Sequence, residues 1–185
     1  MLGKLKDSIS PLVSPLADIL FKIGIRPNHV TALALFLGVL ASFFIARSDF
    51  IVGAALLAFS GFLDLLDGAL ARNTGTVTGF GGVLDSVADR YVDAAVLIAF
   101  GIAGFDWLLV SLALLGSLMV SYTRARAENV IERCDVGIAE RGERALIIIA
   151  GLITGYIYQA LLLLIFLSHL TVVQRVFHVW RQMNP

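Results

Sequence analysis

Apolar residues in this chain come in long runs, without the polar faces that mark the helices of a soluble domain. Val30–Ile45, Phe50–Arg72, Val83–Ala103 and Trp107–Tyr122 each approach the ~20 residues that a helix needs to cross a bilayer. A further apolar stretch opens at Ala145 and is too long for one span; Gly151, Gly155 and Tyr156 predict a tight turn that splits it into Ala145–Tyr156 and Ile157–Val179. Residues 1–24 follow another pattern. Leu12, Leu16, Ile19, Leu20 and Ile23 recur at helical spacing, with Lys4, Lys6, Asp7 and Lys22 nearby and Pro11 and Pro15 as interruptions. Such a segment lies along the membrane interface. Arg26-Pro27-Asn28 then introduces the first span, with Pro27 as breaker and Asn28 as helix cap. The pattern therefore predicts an all-α integral membrane protein: a juxtamembrane amphipathic helix over residues 1–24, then a domain of six transmembrane helices over residues 25–185.

Composition agrees with the pattern. Hydrophobic residues make up 58% of the 185 and charged residues only 15%, where a soluble domain carries about 25%. Fourteen basic and fourteen acidic residues cancel, so there is no basic excess for nucleic acid. Their placement is uneven. With six spans, and both termini in the cytoplasm, 13 of the 14 basic residues fall on the cytoplasmic side and only Arg47 outside. The positive-inside rule thus orients the chain in the cell membrane. Cys134 is alone, which excludes an intramolecular disulfide, and its charged neighbours mark it as an incidental loop thiol. Trp107 and Trp180 read as interfacial anchors, His169 and His178 as packing residues.

Against this apolar background, Asp64, Asp67, Asp85, Asp89 and Asp93 stand out, because a carboxylate at membrane depth needs a partner or a purpose. Asp64 and Asp67 are three apart near the end of the second span, and Asp85 and Asp89 four apart at the start of the third. Each pair shares a helix face. The intervening Gly/Thr loop is short, so both pairs meet at one membrane surface. Four neighbouring carboxylates repel one another unless cations intervene. Oxygen-only ligation favours Mg²⁺, with Mn²⁺ possible, and two ions suit phosphoryl chemistry. Asp93 extends the stripe deeper and reads as an internal hydrogen-bonding residue. Thr76, Thr78 and the loop glycines offer donors to phosphate oxygens.

Read together, the residues are Asp64-x-x-Asp67-Gly68-x-x-Ala71-Arg72, eight residues, then Gly81-x-x-x-Asp85-x-x-x-Asp89. This resembles the signature of the CDP-alcohol phosphotransferase family at every position. The resemblance implies transfer of a lipid phosphate from a CDP-linked donor to an alcohol, with release of CMP. It implies two metal ions on Asp64, Asp67, Asp85 and Asp89, with Asp89 also the general base. By the same resemblance, Asn28, His29, Val30, Thr31, Asp67, Gly68, Ala71, Arg72 and Thr78 line the CDP-lipid pocket; a common variant has Asp in place of Asn28.

A second stretch, Ser121-Tyr-Thr-Arg124-Ala-Arg126-Ala-Glu128 followed by Asp135 to Arg144, resembles the branch of the family that makes phosphatidylinositol phosphate or its archaetidylinositol counterpart. The acceptor this implies is inositol 1-phosphate, held by Arg124, Arg126, Arg144 and Arg175. Arg124 stands where relatives have Lys, and Gly142 where Pro is usual. Arg175 is isolated in the last apolar run and calls for an anionic partner, whereas Arg133 and Arg141 read as ordinary loop charge. A homodimer is also implied, and the small residues of the later spans allow one. Alternatives are transfer to glycerol 3-phosphate, as in phosphatidylglycerol-phosphate synthesis, and an intramembrane prenyltransferase, which also uses Asp pairs and Mg²⁺. An ion carrier would line a path with charge, whereas these aspartates crowd one surface.

Overall fold

The computed structural model describes residues 15–17 and 19–184, and the described residues are helical with no strand. Most of the expected interfacial segment lies outside them; within it, residues 15–17 and 19–22 are helical. Six long helices follow: α1 (Pro27–Ala46), α2 (Phe50–Asn73), α3 (Gly79–Ile102), α4 (Trp107–Ala127), α5 (Arg141–Thr154) and α6 (Ile157–Met183). Four of these, α1, α2, α4 and α6, are long and apolar enough to cross a membrane. The other two explain why six predicted spans reduce to four on that criterion. Helix α3 has the length, at 24 residues, but carries Asp85, Asp89, Arg90 and Asp93. Helix α5 has only 14 residues, about 21 Å at 1.5 Å per residue, against a hydrocarbon core of ~30 Å.

Helix ends follow local chemistry. Helix α1 starts two residues earlier than the Asn28 cap would have it. Arg26 is the N-cap and Pro27 the first helical residue, where its missing N–H leaves no bond unmade. The Arg26 backbone N–H donates to His29 Nδ1 at 3.4 Å. The Thr78 hydroxyl caps α3 by accepting from Gly81 N–H at 3.0 Å, and Asp106 caps α4 through the N–H groups of Leu108 and Leu109. The predicted division of the last apolar stretch is present: Gly155, at φ 78°, ends α5 in the left-handed region that glycine adopts without strain.

Close packing relies on missing side chains. A Cβ on Gly38 would stand 2.5 Å from a Val92 methyl, so α1 and α3 meet at glycine. Gly151 does the same for the α5–α6 turn against Ala160, and Gly116 for α4 against Ser168 of α6. The larger apolar core joins Ala41 and Ile45 of α1, Leu57 of α2, Val96 and Phe100 of α3, Val110 of α4, Leu152 of α5 and Leu161 of α6. These come from the later parts of α1, α3 and α5 and the earlier parts of α2, α4 and α6. The helices therefore run alternately, and most of the charged residues collect at the opposite end, with Arg47, Asp49 and Asp106 at the helix ends beside the core. Outward-facing Phe36, Phe59, Leu108 and Phe166 are exposed, as expected of a surface facing lipid.

Candidate functional site

The polar end is assembled from the start of α1, the end of α2, the start of α3 and the start of α5. Carboxylate oxygens of Asp64, Asp67 and Asp85 lie within 4.8 Å of one another. Asp67 is buried at 6% exposure, and Thr31 of α1 donates its hydroxyl hydrogen to Asp67 Oδ2 at 2.6 Å. That bond fixes one oxygen and leaves the rest of the carboxylate to other ligands. Three carboxylates on two helices, one already oriented by a hydroxyl, form an oxygen-only donor set that suits a hard divalent cation.

Asp89 completes the group by a different route. The Arg141 guanidinium, at the first turn of α5, bridges two of the aspartates: Nη1 lies 2.7 Å from Asp64 Oδ2 and Nη2 lies 2.9 Å from Asp89 Oδ1. Arg90 approaches the other Asp89 oxygen at 3.4 Å while donating to the Ser86 carbonyl at 2.7 Å. Arg141, read from sequence as loop charge, thus belongs to the aspartate cluster. Position within an apolar pattern carried no signal for it, because a residue at the foot of a short helix and one in a solvated loop look alike in sequence.

The remaining expected residues divide clearly. Thr31 is at the cluster. Val30 instead packs into the smaller apolar core with Leu63, Leu66 and Leu70, and His29 turns back to cap its own helix. A Cβ on Gly81 would meet Thr78 Oγ1 at 3.0 Å and Asn28 Oδ1 at 3.4 Å, so Asn28, Thr78 and Gly81 converge at the start of α3. Arg72 lies over Gly68, where a Cβ would be 3.2 Å from its Nη1. Ala71 is half-buried beside it.

The four arginines expected to converge do so only in part. Arg124 is held by Glu128 at 2.9 Å, Asp135 at 3.4 Å and Glu140 at 3.6 Å. Arg126, two residues along the helix, is exposed and makes no ion pair among the described residues. Arg144 is buried and donates to Asp93 Oδ2 at 2.6 Å and to the Ala139 carbonyl at 3.0 Å; Asp93 has the internal hydrogen-bonding role expected of it. Arg175, 2% exposed, is satisfied chiefly by the carbonyls of Val120 and Val136, with Glu140 4.0 Å away. Two backbone dipoles thus provide most of what a single anion was expected to provide.

These arginines organise residues 128–140, between α4 and α5. Thr171 Oγ1 of α6 accepts from the N–H groups of Ile138 and Ala139 at 3.1 and 3.0 Å. Gly137, at φ 128°, passes so close to Thr171 that a Cβ would meet its methyl at 2.5 Å. Cys134 lies in this loop, as expected, and its thiol is fully buried there and forms no disulfide.

An all-helical bundle with membrane-length helices and clustered carboxylates at one end is a membrane protein with a place for divalent cations. Comparison with known proteins makes it specific. The family model described as CDP-alcohol phosphatidyltransferase matches residues 25–181, and the chain belongs to that family of transferases. The archaetidylinositol phosphate synthase of Methanothermobacter thermautotrophicus is 42% identical over 191 residues, covering 100% of this chain and 96% of the relative. The crystal structure of Mycobacterium tuberculosis phosphatidylinositol phosphate synthase with CDP-DAG bound superposes with a TM-score of 0.82 at 33% identity, covering 92% of this chain and 94% of that one. The same enzyme in complex with manganese and citrate gives 0.82 at 32% identity, covering 91% and 88%.

Proposed function

We propose that this chain transfers the lipid-phosphate group of a CDP-linked lipid, CDP-diacylglycerol or CDP-archaeol, to inositol 1-phosphate, giving an inositol-phosphate phospholipid and CMP. The observation that carries this reading is the convergence of Asp64, Asp67 and Asp85 to within 4.8 Å, in a chain whose relatives include an archaetidylinositol phosphate synthase and an enzyme solved with CDP-DAG. In the reaction the acceptor hydroxyl oxygen attacks the lipid-side phosphorus, the phosphoanhydride bond to the cytidine phosphate breaks, and CMP departs with that bond's electrons. Two Mg²⁺ ions, or Mn²⁺ as in the solved relative, held by Asp64, Asp67, Asp85 and Asp89, would supply neutralisation of the diphosphate and of the departing charge.

The protein's own groups do the rest. Asp89 takes the proton of the attacking hydroxyl. Thr31 holds Asp67 in one orientation. Asn28, His29, Val30, Thr31, Gly68, Ala71, Arg72 and Thr78 form the CDP-lipid side, with Gly68 and Ala71 leaving α2 flat there. Arg124, Arg126, Arg144 and Arg175 are the acceptor's phosphate side, where fork-shaped guanidinium groups suit phosphate oxygens. In the membrane, α3 and α5 complete six spans, residues 1–24 lie in the interface, and the site faces the cytoplasm across the cell membrane. Two copies associate through the small-residue faces of the later helices.

Chelating divalent cations from the purified protein should stop CMP release from the CDP-lipid, and adding back Mg²⁺ or Mn²⁺ should restore it. Release that continues at full rate in chelator would overturn the metal-dependent reading.

A further inference from the structure

Two consecutive residues at the start of α5 reach into opposite halves of the site. Glu140, the N-cap, has extended backbone at ψ 173°, a geometry that sends successive side chains to opposite sides. Its Oε1 lies between two guanidinium groups, 3.6 Å from Arg124 Nη1 and 4.0 Å from Arg175 Nη2. Arg141 points the other way and bridges Asp64 and Asp89 at 2.7 and 2.9 Å. A carboxylate thus sits among cations and a guanidinium among anions, and a single peptide bond joins them.

We propose that Glu140–Arg141 is an internal charge plug: Arg141 stands where a divalent cation balances Asp64 and Asp89, Glu140 stands where the acceptor's anion meets Arg124 and Arg175, and withdrawal of one end withdraws the other. The inference rests on the metal and acceptor reading above and concerns how the two ligands influence each other. A cation entering between Asp64 and Asp89 expels Arg141. Because Arg141 and Glu140 are adjacent at the foot of one helix, its departure draws the Glu140 carboxylate off Arg124 and Arg175, which keep Glu128, Asp135 and the Val120 and Val136 carbonyls as partners. The reverse holds for an entering acceptor, since thermodynamic linkage is reciprocal. The metal-free protein thereby keeps part of the charge of each cluster balanced, and cation and acceptor admit each other.

The test is Mn²⁺ titration of the purified full-length protein, followed by the electron paramagnetic resonance signal of free Mn²⁺, without and with inositol 1-phosphate. Removing the plug's cationic end with Arg141→Gln should tighten Mn²⁺ binding about tenfold in the absence of acceptor, and acceptor should then add little, coupling of this kind usually spanning about 5–150-fold. Glu140→Gln should tighten inositol 1-phosphate binding measured by calorimetry and shrink its effect on Mn²⁺. Arg141→Lys keeps the charge but loses the planar fork whose two nitrogens reach one aspartate each; it should tighten Mn²⁺ a few-fold and covers the case in which Arg141→Gln does not fold. Equal or weaker Mn²⁺ binding in the folded Arg141 variants would show that Arg141 merely positions the aspartates, and would overturn the plug while leaving the metal site standing. Absence of Mn²⁺ binding in the wild-type protein would instead remove the metal reading on which the plug depends.

Discussion

Thr31 illustrates how one hydroxyl of α1 serves a carboxylate of α2. Its 2.6 Å bond to Asp67 holds in place a buried group that would otherwise rotate, and loss of such an orienting partner generally weakens metal affinity about 10–100-fold. Thr31→Val, close in shape but without the hydroxyl, should therefore weaken Mn²⁺ binding by roughly that factor while the protein remains folded; unchanged affinity would show that the bond orients nothing. Asp89→Asn keeps the size of the side chain but removes its ability to take a proton, and should lower the rate of CMP release about 10²–10⁴-fold, measured at saturating donor and acceptor. The aspartates were legible in sequence because ionisable groups are rare in apolar helices and their spacing selects one face. Arg141 and Glu140 were not, since their importance comes from where the chain folds back after α4, which no local pattern records. The arginines proposed for the acceptor lie between these cases: Arg175 stands out in sequence as an isolated charge, but its carbonyl partners on Val120 and Val136 belong to distant parts of the chain.

Among the helices, α1, α2 and α3 carry the carboxylate cluster, and their separation is set by glycine. Gly38 allows α1 to lie against Val92 of α3, whereas nothing stands within 4 Å of a Cβ placed on Gly61. Gly38→Leu should destabilise the protein by about 1–3 kcal/mol or more through overpacking, read as a lower melting temperature in detergent, and Gly61→Ala should leave it unchanged or slightly higher. Similar losses in both variants would mean that the α1–α3 contact is not close. Asp93→Ala would leave the Arg144 guanidinium, 3% exposed, without its charged partner, at a cost of about 3–5 kcal/mol; Asp93→Asn, which keeps an acceptor oxygen, should be milder on the same melting curve. Element positions were mostly legible, because runs of apolar residues and the turn at Gly155 mark them directly. The ends were less so: Pro27 takes the first helical position and displaces Asn28 from the cap, and α4 continues past Tyr122 through Arg124 and Arg126 to Ala127, since charged residues at a helix end remain good helix formers.

On the scale of the whole molecule, alternating helix directions put the larger apolar core at one end and most of the charged groups at the other. This separation is what the cancelling totals of 14 basic and 14 acidic residues conceal: opposite charges face each other across one site. The family was visible in eight spaced residues, and the chain's membership follows from the match over residues 25–181. The choice of acceptor depends on a more diffuse feature, arginines drawn from α4, α5 and α6, and for that reason it is the claim to test most directly. Purified protein supplied with one CDP-lipid and Mg²⁺ should release CMP when given inositol 1-phosphate, and should release far less with glycerol 3-phosphate or free inositol. CMP release driven by glycerol 3-phosphate or free inositol, with none from inositol 1-phosphate, would contradict it.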